Sequence, residues 1–321
     1  MIHQMFMEKN KPQVQLLKIS PDDAGQRIDN FLFSRLKGVP KSRVYRLLRK
    51  GEVRVNKGRI RAHYRIQAGD VVRIPPLQMA RQAPAAIVPK NVEKFLESRI
   101  LYEDAYLLAL NKPAGMAVHG GSGLQGGVIE YLRHIRPREK SLELVHRLDK
   151  DTSGCLLIAR KKQVLRQLHE ILREDYIDKR YQALLSGAWK ERFKRVDAPL
   201  RKFVQRGGER FVKVDGSGKA SVTEFRRLEA FADATLVEAR LLTGRTHQIR
   251  VHAAHLGHPI AGDERYGMEE INRAWHRFGL KRLFLHAWRL TFNHPVTGAK
   301  LQVEAPLEPE LLSLLTQLEK A

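Results

Sequence analysis

The stretch LVHRLDKDTSG, residues 144–154, places one carboxylate, Asp149, between Arg147 and Lys150, with Asp151 two residues further on. A carboxylate so close to cations is either a salt-bridged surface turn or a catalytic group held ionised by its neighbours. On the local pattern alone the turn is the simpler reading. Other stretches also carry more functional residue types than packing requires. NKPAGMAVHGGSGLQGG (111–127) is glycine-rich and holds Lys112 and His119. KRYQA (179–183) opens a strand with Tyr181, Ala183 and Leu185 on one face. TGRTHQIRVHAAHLGHPIAGDERYG (243–267) carries Arg245, Arg250 and four histidines, and KRLFLHA (281–287) reads as a strand ending near His286.

Several chemistries fail on spacing. The glycine-rich stretch lacks the Gly-Lys-Ser/Thr ending of a nucleotide P-loop, and nothing matches the dinucleotide fingerprint; a loop near a substrate backbone fits better. His252, His255 and His258 recur every three residues, which drifts around a helix, and Gly257 with Pro259 ends that helix before His258. Without an HExxH arrangement or a cysteine pair, histidines satisfied by hydrogen bonds or facing phosphates fit better than a metal site. No G-x-S-x-G elbow accompanies Ser153, which reads as turn chemistry. Asp149 and Asp151 are too close in sequence to be assigned the opposed positions of a glycosidase pair. One carboxylate, one tyrosine and one arginine remain, in a strongly basic chain with no cofactor motif and no metal signature.

The elements that must position these residues begin at about Arg99. RILYED, YLLALNKP, CLLIAR, RYQALLSG, SVTEFRRLEAF, ATLVEARLL and KLQVEAP are strand candidates. KKQVLRQLHEILRE is an amphipathic helix with Leu165, Leu168, Ile171 and Leu172 at helical spacing. THQIRVHAAHLGHP is another, with Thr246 as its cap, Ile249, Ala253 and Leu256 on its buried face, and Gly257 and Pro259 at its end. Strand and helix do not alternate strictly, so the expectation is an α+β domain over 98–321 built on a mixed, mainly antiparallel sheet.

The 321 residues carry 58 Lys+Arg against 35 Asp+Glu, a net charge of +23. Such an excess favours a polyanion, nucleic acid first and an anionic membrane surface second. Between Arg27 and Arg73 there are 14 Lys/Arg and three acids, so about half of the net charge sits in less than a fifth of the length. There AGQRIDNFLFSRL reads as a helix with Ile28, Phe31, Leu32 and Leu36 on one side. KSRVYRLLRKG reads as a second, with Ser42 as N-cap and Gly51 as stop. Val44, Leu47 and Leu48 form its apolar stripe, while Arg43, Arg46 and Lys50 share another face. VRVNKGRI follows as two short strands around Asn56, Lys57 and Gly58, adding Arg54 and Arg59, and DVVRIP as another strand. The result is a small basic α+β module over 17–76, joined to the larger domain by an Ala/Pro-rich linker over 77–97. No run is long and apolar enough for a membrane span, and MIHQMFMEKNKPQVQ has neither the h-region nor the cleavage site of a secretory signal. The single Cys155, within CLLIA, reads as buried and inert and suits a reducing cytoplasm.

Two resemblances sharpen these readings. GQRIDNFL, KSRVYRLLRKGEVRVN and AGDVVRI, in that order, resemble the S4 RNA-binding domain shared by a ribosomal small-subunit protein and many RNA-modifying enzymes. NKPAGMAVHGG, VHRLDKDTSGCLLIAR, KRYQALLSG and TGRTHQIRVHAAHLGHPIAGDERYG, in that order, resemble the RluA family of RNA pseudouridine synthases. The pairing of HRLDxxTSG with GRTHQIRVH about 100 residues later is highly specific, and the likeness runs from about residue 17 to 306.

The resemblance implies an isomerase that converts uridines of large-subunit (23S) ribosomal RNA, free or in assembly intermediates, at several sites including the peptidyl-transferase region. It implies no cofactor and no metal. Asp149 would be the essential carboxylate, attacking the anomeric carbon, adding to the uracil ring or removing the sugar's 2′ proton. Arg250 would pair with it, and Tyr181 would stack on the base and help remove the carbon 5 proton. Arg147 would fill the space left by the flipped nucleotide, with Lys112, His119, His146, Arg245, His247 and Gln248 as further substrate contacts. Arg43, Arg46, Lys50, Arg54, Lys57 and Arg59 would grip RNA. A monomer in the cytoplasm, with no membrane and no protein partner, completes the expectation. The rival readings are an RNA chaperone or assembly factor without catalysis and a peripheral membrane protein, the latter lacking an amphipathic anchor helix. Because cations that neutralise phosphates release counterions, RNA affinity is expected to fall steeply with salt. A filter-binding titration that stays nearly flat with added salt would remove the basic module as the grip.

Overall fold

The computed structural model describes residues 13–36, 38–77, 91–120, 126–204 and 210–320, in two compact units divided at Ala85/Ala86. In the N-terminal unit, β1 (Gln15–Lys18), α1 (Ile28–Arg35), α2 (Lys41–Lys50), β2 (Arg54–Val55), β3 (Gly58–Arg59) and β4 (Val71–Ile74) follow in order. The strands form one sheet in the order β1-β4-β2-β3. Ile28, Phe31 and Leu32 of α1 and Val44, Leu47 and Leu48 of α2 are buried against Val53, Val55, Ile66, Val72 and Ile74. The hairpin turn has Asn56 and Lys57 both at positive φ, 49° and 68°, as a two-residue turn between twisted strands requires. Gly51 ends α2 in the left-handed conformation. Ser42 is not the cap. The helix begins one residue earlier, after Pro40, with no side-chain cap bond. Strand β1 has no counterpart among the expected elements, because its outer residues are exposed and its sequence lacks alternation.

The larger unit begins with α3 (Val92–Glu97), whose Leu96 is fully buried in the main core. The end of the expected linker is therefore a packed helix, while 78–90 lie outside the described residues. Next come β5 (Ile100–Glu103), β6 (Leu107–Lys112), α4 (Val128–Ile135), β7 (Glu143–Leu144), β8 (Ser153–Ala159), α5 (Lys162–Arg173) and β9 (Asp178–Ser186). They are followed by β10 (Phe193–Asp197), β11 (Leu200–Val204), β12 (Arg210–Val214), β13 (Val222–Ala230) and β14 (Ala234–Leu241). The chain closes with α6 (Gln248–His255), α7 (Glu269–Arg277), β15 (Leu285–Asn293), β16 (Lys300–Glu304) and α8 (Pro309–Leu318).

Ten strands make one sheet, β10-β13-β14-β9-β15-β8-β6-β5, with β16 beside β15 and β7 beside β8. Every pairing is antiparallel except β15 with β8. The mixed, mainly antiparallel α+β class is as expected. Central strands are buried on both faces. Leu108, Leu110, Leu156 and Ile158 point into one core with α3, α4, α6, α7 and α8. Leu107, Ala109, Cys155, Leu157 and Ala159 point into the other with Val164 and Leu168 of α5. That is why LLAL and CLLIA read as unbroken apolar runs. Cys155 is fully buried, and desolvation pushes its thiol up to about 12. KRLFLHA was expected to end a strand near His286; instead β15 begins there.

The parallel pairing sets His286 opposite Ser153 and Ala287 opposite Gly154. Gly154 has φ 108°, and a Cβ there would lie 2.2 Å from the Ala287 carbonyl oxygen. Gly154→Ala is expected to cost roughly 3 kcal/mol from backbone strain and the forced parting of two strands. Denaturant unfolding measures it; wild-type stability would mean that β15 yields freely.

Candidate active site

Asp149 lies in the turn between β7 and β8, and its carbonyl accepts the Thr152 N–H at 3.2 Å. Beside it Leu148 is buried in the main core. Two buried devices hold this turn from behind. Lys112, with no exposed surface, donates to the carbonyls of Pro113 (2.8 Å), Met116 (2.8 Å) and Lys150 (2.9 Å). All three ammonium protons are used, so the expectation that Lys112 contacts substrate is corrected: it clamps the 113–116 loop to the residue after Asp149. Burial lowers its pKa to about 7. In the second device Arg282 Nη2 donates to Ser153 Oγ at 2.6 Å, and Ser153 is 2.8 Å from His286 Nδ1. His286 Nε2 is 3.0 Å from the Ala305 carbonyl. Ser153 is thus a buried strand residue rather than part of the turn.

Helix α6 brings the arginine. Its N-cap is His247, at φ 54°, not Thr246. The Gln248 side chain replaces a cap: Oε1 accepts from the Thr243 hydroxyl (2.7 Å) and the Arg245 N–H (3.0 Å), while Nε2 donates to Val222 O and Thr223 Oγ1, both at 2.9 Å. Buried and fully bonded, Gln248 lines the smaller cavity while its side-chain hydrogen bonds are all made within the fold. Arg250 was expected to pair with Asp149. Its main partner is instead Asp263, reached by Nε and Nη2 at 2.7 Å each. The Asp263 side chain has no exposed surface and also accepts the N–H groups of Arg265 and Tyr266 at 3.0 Å. The guanidinium lies over the Tyr266 ring at 5.1 Å. Only then does the remaining nitrogen, Nη1, stand 3.9 Å from Asp149 Oδ2, with His247 Nε2 at 3.8 Å from the same oxygen.

Two cavities meet at this carboxylate, one of about 1260 Å³ and one of about 550 Å³, and Arg147, Asp149, His247 and Arg250 line both. The smaller holds Tyr181, Lys179, His146, Arg245 and Leu285. Tyr181 is 7% exposed, and burial, then the Asp149 charge, raises its phenol pKa. It therefore keeps its proton at neutral pH. Lys179, absent from the expected set, adds a nearly buried cation. Arg147 is exposed at the mouth, and exposed Arg245 donates to the Ala220 carbonyl at 3.1 Å. His146 Nε2 accepts the Leu157 N–H at 3.1 Å, and burial lowers its pKa to about 4, which makes it a neutral brace between turn and β8. His119 is exposed and lines neither cavity.

Among the described residues no three His, Cys, Asp or Glu side chains converge as metal ligands. His252 is bonded to Thr223 Oγ1 and the Ala198 carbonyl, and His258 to the Ser186 carbonyl. No helix among these residues is long and apolar enough to cross a membrane.

In the N-terminal unit Arg43, Arg46, Lys50, Arg54, Lys57 and Arg59 are all exposed. Spacing puts the first three on one stripe of α2. Across the sheet Arg54 faces Arg59 on one side and Arg73 on the other. Like charges directly opposed disfavour a sheet unless an anion sits over them.

Comparison with known proteins agrees with this architecture. Residues 106–255 match the family model described as RNA pseudouridylate synthase, and 26–72 match that of the S4 domain. The chain belongs to the RNA pseudouridylate synthase family. Within it, the quoted motifs together with the N-terminal module resemble RluC, the large-subunit ribosomal RNA pseudouridine synthase C. The chain is 55% identical to ribosomal large subunit pseudouridine synthase C of Yersinia pestis, over 98% of both chains. It is 53% identical to the protein of that name from Escherichia coli (strain K12), over 98% of this chain and all of that one. Of solved structures, Human RNA Pseudouridylate Synthase Domain Containing 4 superposes with TM-score 0.60 at 26% identity, over 71% of this chain and 95% of that one. Human RNA Pseudouridylate Synthase Domain Containing 1 does so with 0.57 at 28%, over 73% and 96%.

Removing one partner of a buried ion pair strands the other charge. Asp263→Asn is therefore expected to lower stability by about 3–5 kcal/mol. Thermal unfolding tests this; an unchanged midpoint would show that Arg250 finds equivalent partners unaided.

Proposed function

We propose that the chain isomerises uridines of 23S ribosomal RNA to pseudouridine, with Asp149 as the essential carboxylate. The observation that carries this reading is the position of Asp149, where two cavities meet, with a buried guanidinium and an imidazole within 4.0 Å. The bond between ribose and ring nitrogen breaks, the uracil turns, and its carbon 5 joins the sugar. The carbon 5 proton leaves, and the freed ring nitrogen takes one up. Nothing is oxidised and no group is lost, so an ionised carboxylate held in place supplies what the bond change needs. Attack on the anomeric carbon, addition to the ring and removal of the 2′ proton all require that ionised form, and Arg250 Nη1 stands 3.9 Å from its Oδ2.

A stacked or paired uridine lies out of reach of this carboxylate, so the nucleotide must be flipped out, at a cost of a few kcal/mol. Arg147, exposed at the mouth, fills the vacated place. Tyr181 stacks on the flipped base in the smaller cavity. To take the carbon 5 proton it would first have to release its own, which burial and the Asp149 charge oppose. Stacking is thus the better supported role. Arg245 and Lys179 face the same cavity and suit a phosphate or a uracil carbonyl. The exposed cations of the N-terminal unit grip RNA backbone, setting position more than sequence choice. The relatives' name supports ribosomal RNA as the substrate, free or in an assembly intermediate; several uridines including the peptidyl-transferase region, action in the cytoplasm and a monomeric state belong to the same reading.

With RNA tritiated at uracil carbon 5, Asp149→Asn is expected to abolish tritium release while RNA binding stays within a few-fold of wild type. Normal release from the purified variant would take Asp149 out of the mechanism. Wild-type binding without any release would favour the chaperone reading.

A further inference from the structure

His247 enters α6 in the left-handed region, φ 54°, which non-glycine residues seldom adopt. That conformation sets its ring between two groups. Nε2 stands 3.8 Å from Asp149 Oδ2, and Nδ1 is 2.7 Å from the Tyr266 hydroxyl. The same hydroxyl oxygen accepts the Val212 N–H from β12 at 3.1 Å, and the two rings meet edge to face with centroids 5.5 Å apart. The Tyr266 oxygen is thus already an acceptor, and among the described residues the side-chain acceptor within reach of its proton is His247 Nδ1. Donation of that proton to Nδ1 leaves this nitrogen unprotonated and puts the one proton of the neutral ring on Nε2, toward Asp149.

We propose that Tyr266 is a positioning residue: it locks His247 as the Nε2–H tautomer, so that the imidazole donates to Asp149 and aims the carboxylate at the bound uridine. This rests on the role of Asp149 given above. At 3.8 Å the contact is an approach, which tightens to a hydrogen bond when a nucleotide fills the cavity, as contacts in unliganded sites do. The opposite tautomer would turn a lone pair on the carboxylate. A protonated ring would reverse the Tyr266 bond and set a second cation beside Arg250. The groups facing His247 are Asp149, Arg250, Asp263, Arg265 and Tyr266. Burial lowers its pKa, with Arg250 and Arg265 in the same direction and the two carboxylates opposing. Burial also raises the Tyr266 phenol, which keeps the proton it must donate. A lowered histidine pKa keeps the ring neutral until the pH falls below the ordinary histidine range, so the acid limb of turnover is displaced downward.

The test uses the full chain with nitrogen-15-labelled histidine, the His247 signals being assigned by their loss in His247→Gln. At neutral pH the expected signature is a neutral ring protonated at Nε2. In Tyr266→Phe it moves toward the Nδ1–H form or the protonated ring. In tritium-release kinetics Tyr266→Phe is expected to lower kcat about tenfold, the worth of one neutral hydrogen bond, with KM unchanged and the acid limb moved to higher pH. His247→Gln, whose amide donates without titrating, is expected to flatten that limb. A wild-type ring protonated at Nδ1, a Tyr266→Phe enzyme with wild-type kcat and pH profile, or an unaltered acid limb in His247→Gln overturns the proposal. The tautomer is read without turnover, so a wild-type chain that releases no tritium would instead strike the proposed reaction.

Discussion

The Arg250–Asp263 fork is the interaction on which the site depends. One buried carboxylate takes two guanidinium nitrogens and two backbone N–H groups. It thereby fixes the start of α6, the 263–266 turn and the Tyr266 ring beneath the guanidinium. Asn272 of α7 donates to the Asp263 carbonyl at 2.9 Å and ties a further helix to the turn. Gly262 permits the approach, since a Cβ there would lie 2.1 Å from the Arg282 carbonyl oxygen. A buried ion pair of this kind adds little net stability over an apolar replacement, because desolvation consumes most of the Coulomb gain. Its value here is directional. With two nitrogens held, the third is left beside Asp149, 3.9 Å from its Oδ2, on a cation that cannot swing away.

Around the fork, the packing of the sheet turns sequence neighbours into a site. Strand β15 divides its pairing: residues 286–287 lie parallel to β8, and 289–293 lie antiparallel to β16. The first half and the residues just before it bring His286 and Arg282 behind the turn that carries Asp149, where Ser153 joins them. Lys112 does the same from β6. The turn carrying Asp149 is therefore braced by a lysine on one side and an Arg-Ser-His chain on the other. On the proposed reaction the carboxylate acts on one atom of a flipped base, and such bracing suits it, since misplacement by about 1 Å costs rate steeply.

Much of this was legible in the sequence, and the exceptions share a cause. The apolar runs LLAL and CLLIA announced central strands, and the stripe of α2 announced its basic face. Three strands, β10 to β12, stayed hidden because FKRVD, LRKFV and RFVKV mix charge with apolar residues without clean alternation. Helix α8 had a visible signal, Pro309 at its first turn and Leu311, Leu314 and Leu315 at helical spacing. Within the site, residue types were readable but partners were not. Lys112 and Gln248 look like ligand-binding side chains, yet each spends every bond on the backbone or a neighbouring hydroxyl. Asp263 and Tyr266 lay in a quoted motif without a role, because pairing across 13 residues and through a turn is a property of the fold. Local spacing finds groups that could act; burial decides which of them are free to.

The two units use their cations in opposite ways. In the larger one the arginines are spent on internal pairs: Arg136 reaches Glu97, Glu103 and Glu139, and Arg180, Arg226 and Arg289 converge on the nearly buried Glu238. In the N-terminal unit only Arg27 and Arg35 pair with carboxylates among the described residues. Most of the others are exposed, and across neighbouring strands Arg54 stands opposite Arg59 and Arg73. Self-repulsion of that kind disfavours the folded unit and is relieved only when a polyanion lies over it. Exposed, unpaired charge binds any phosphate chain with little preference, whereas the buried, paired charge around Asp149 responds only to a group that enters the cavity. On the proposed reading, affinity and chemical selectivity thus rest on different arginines.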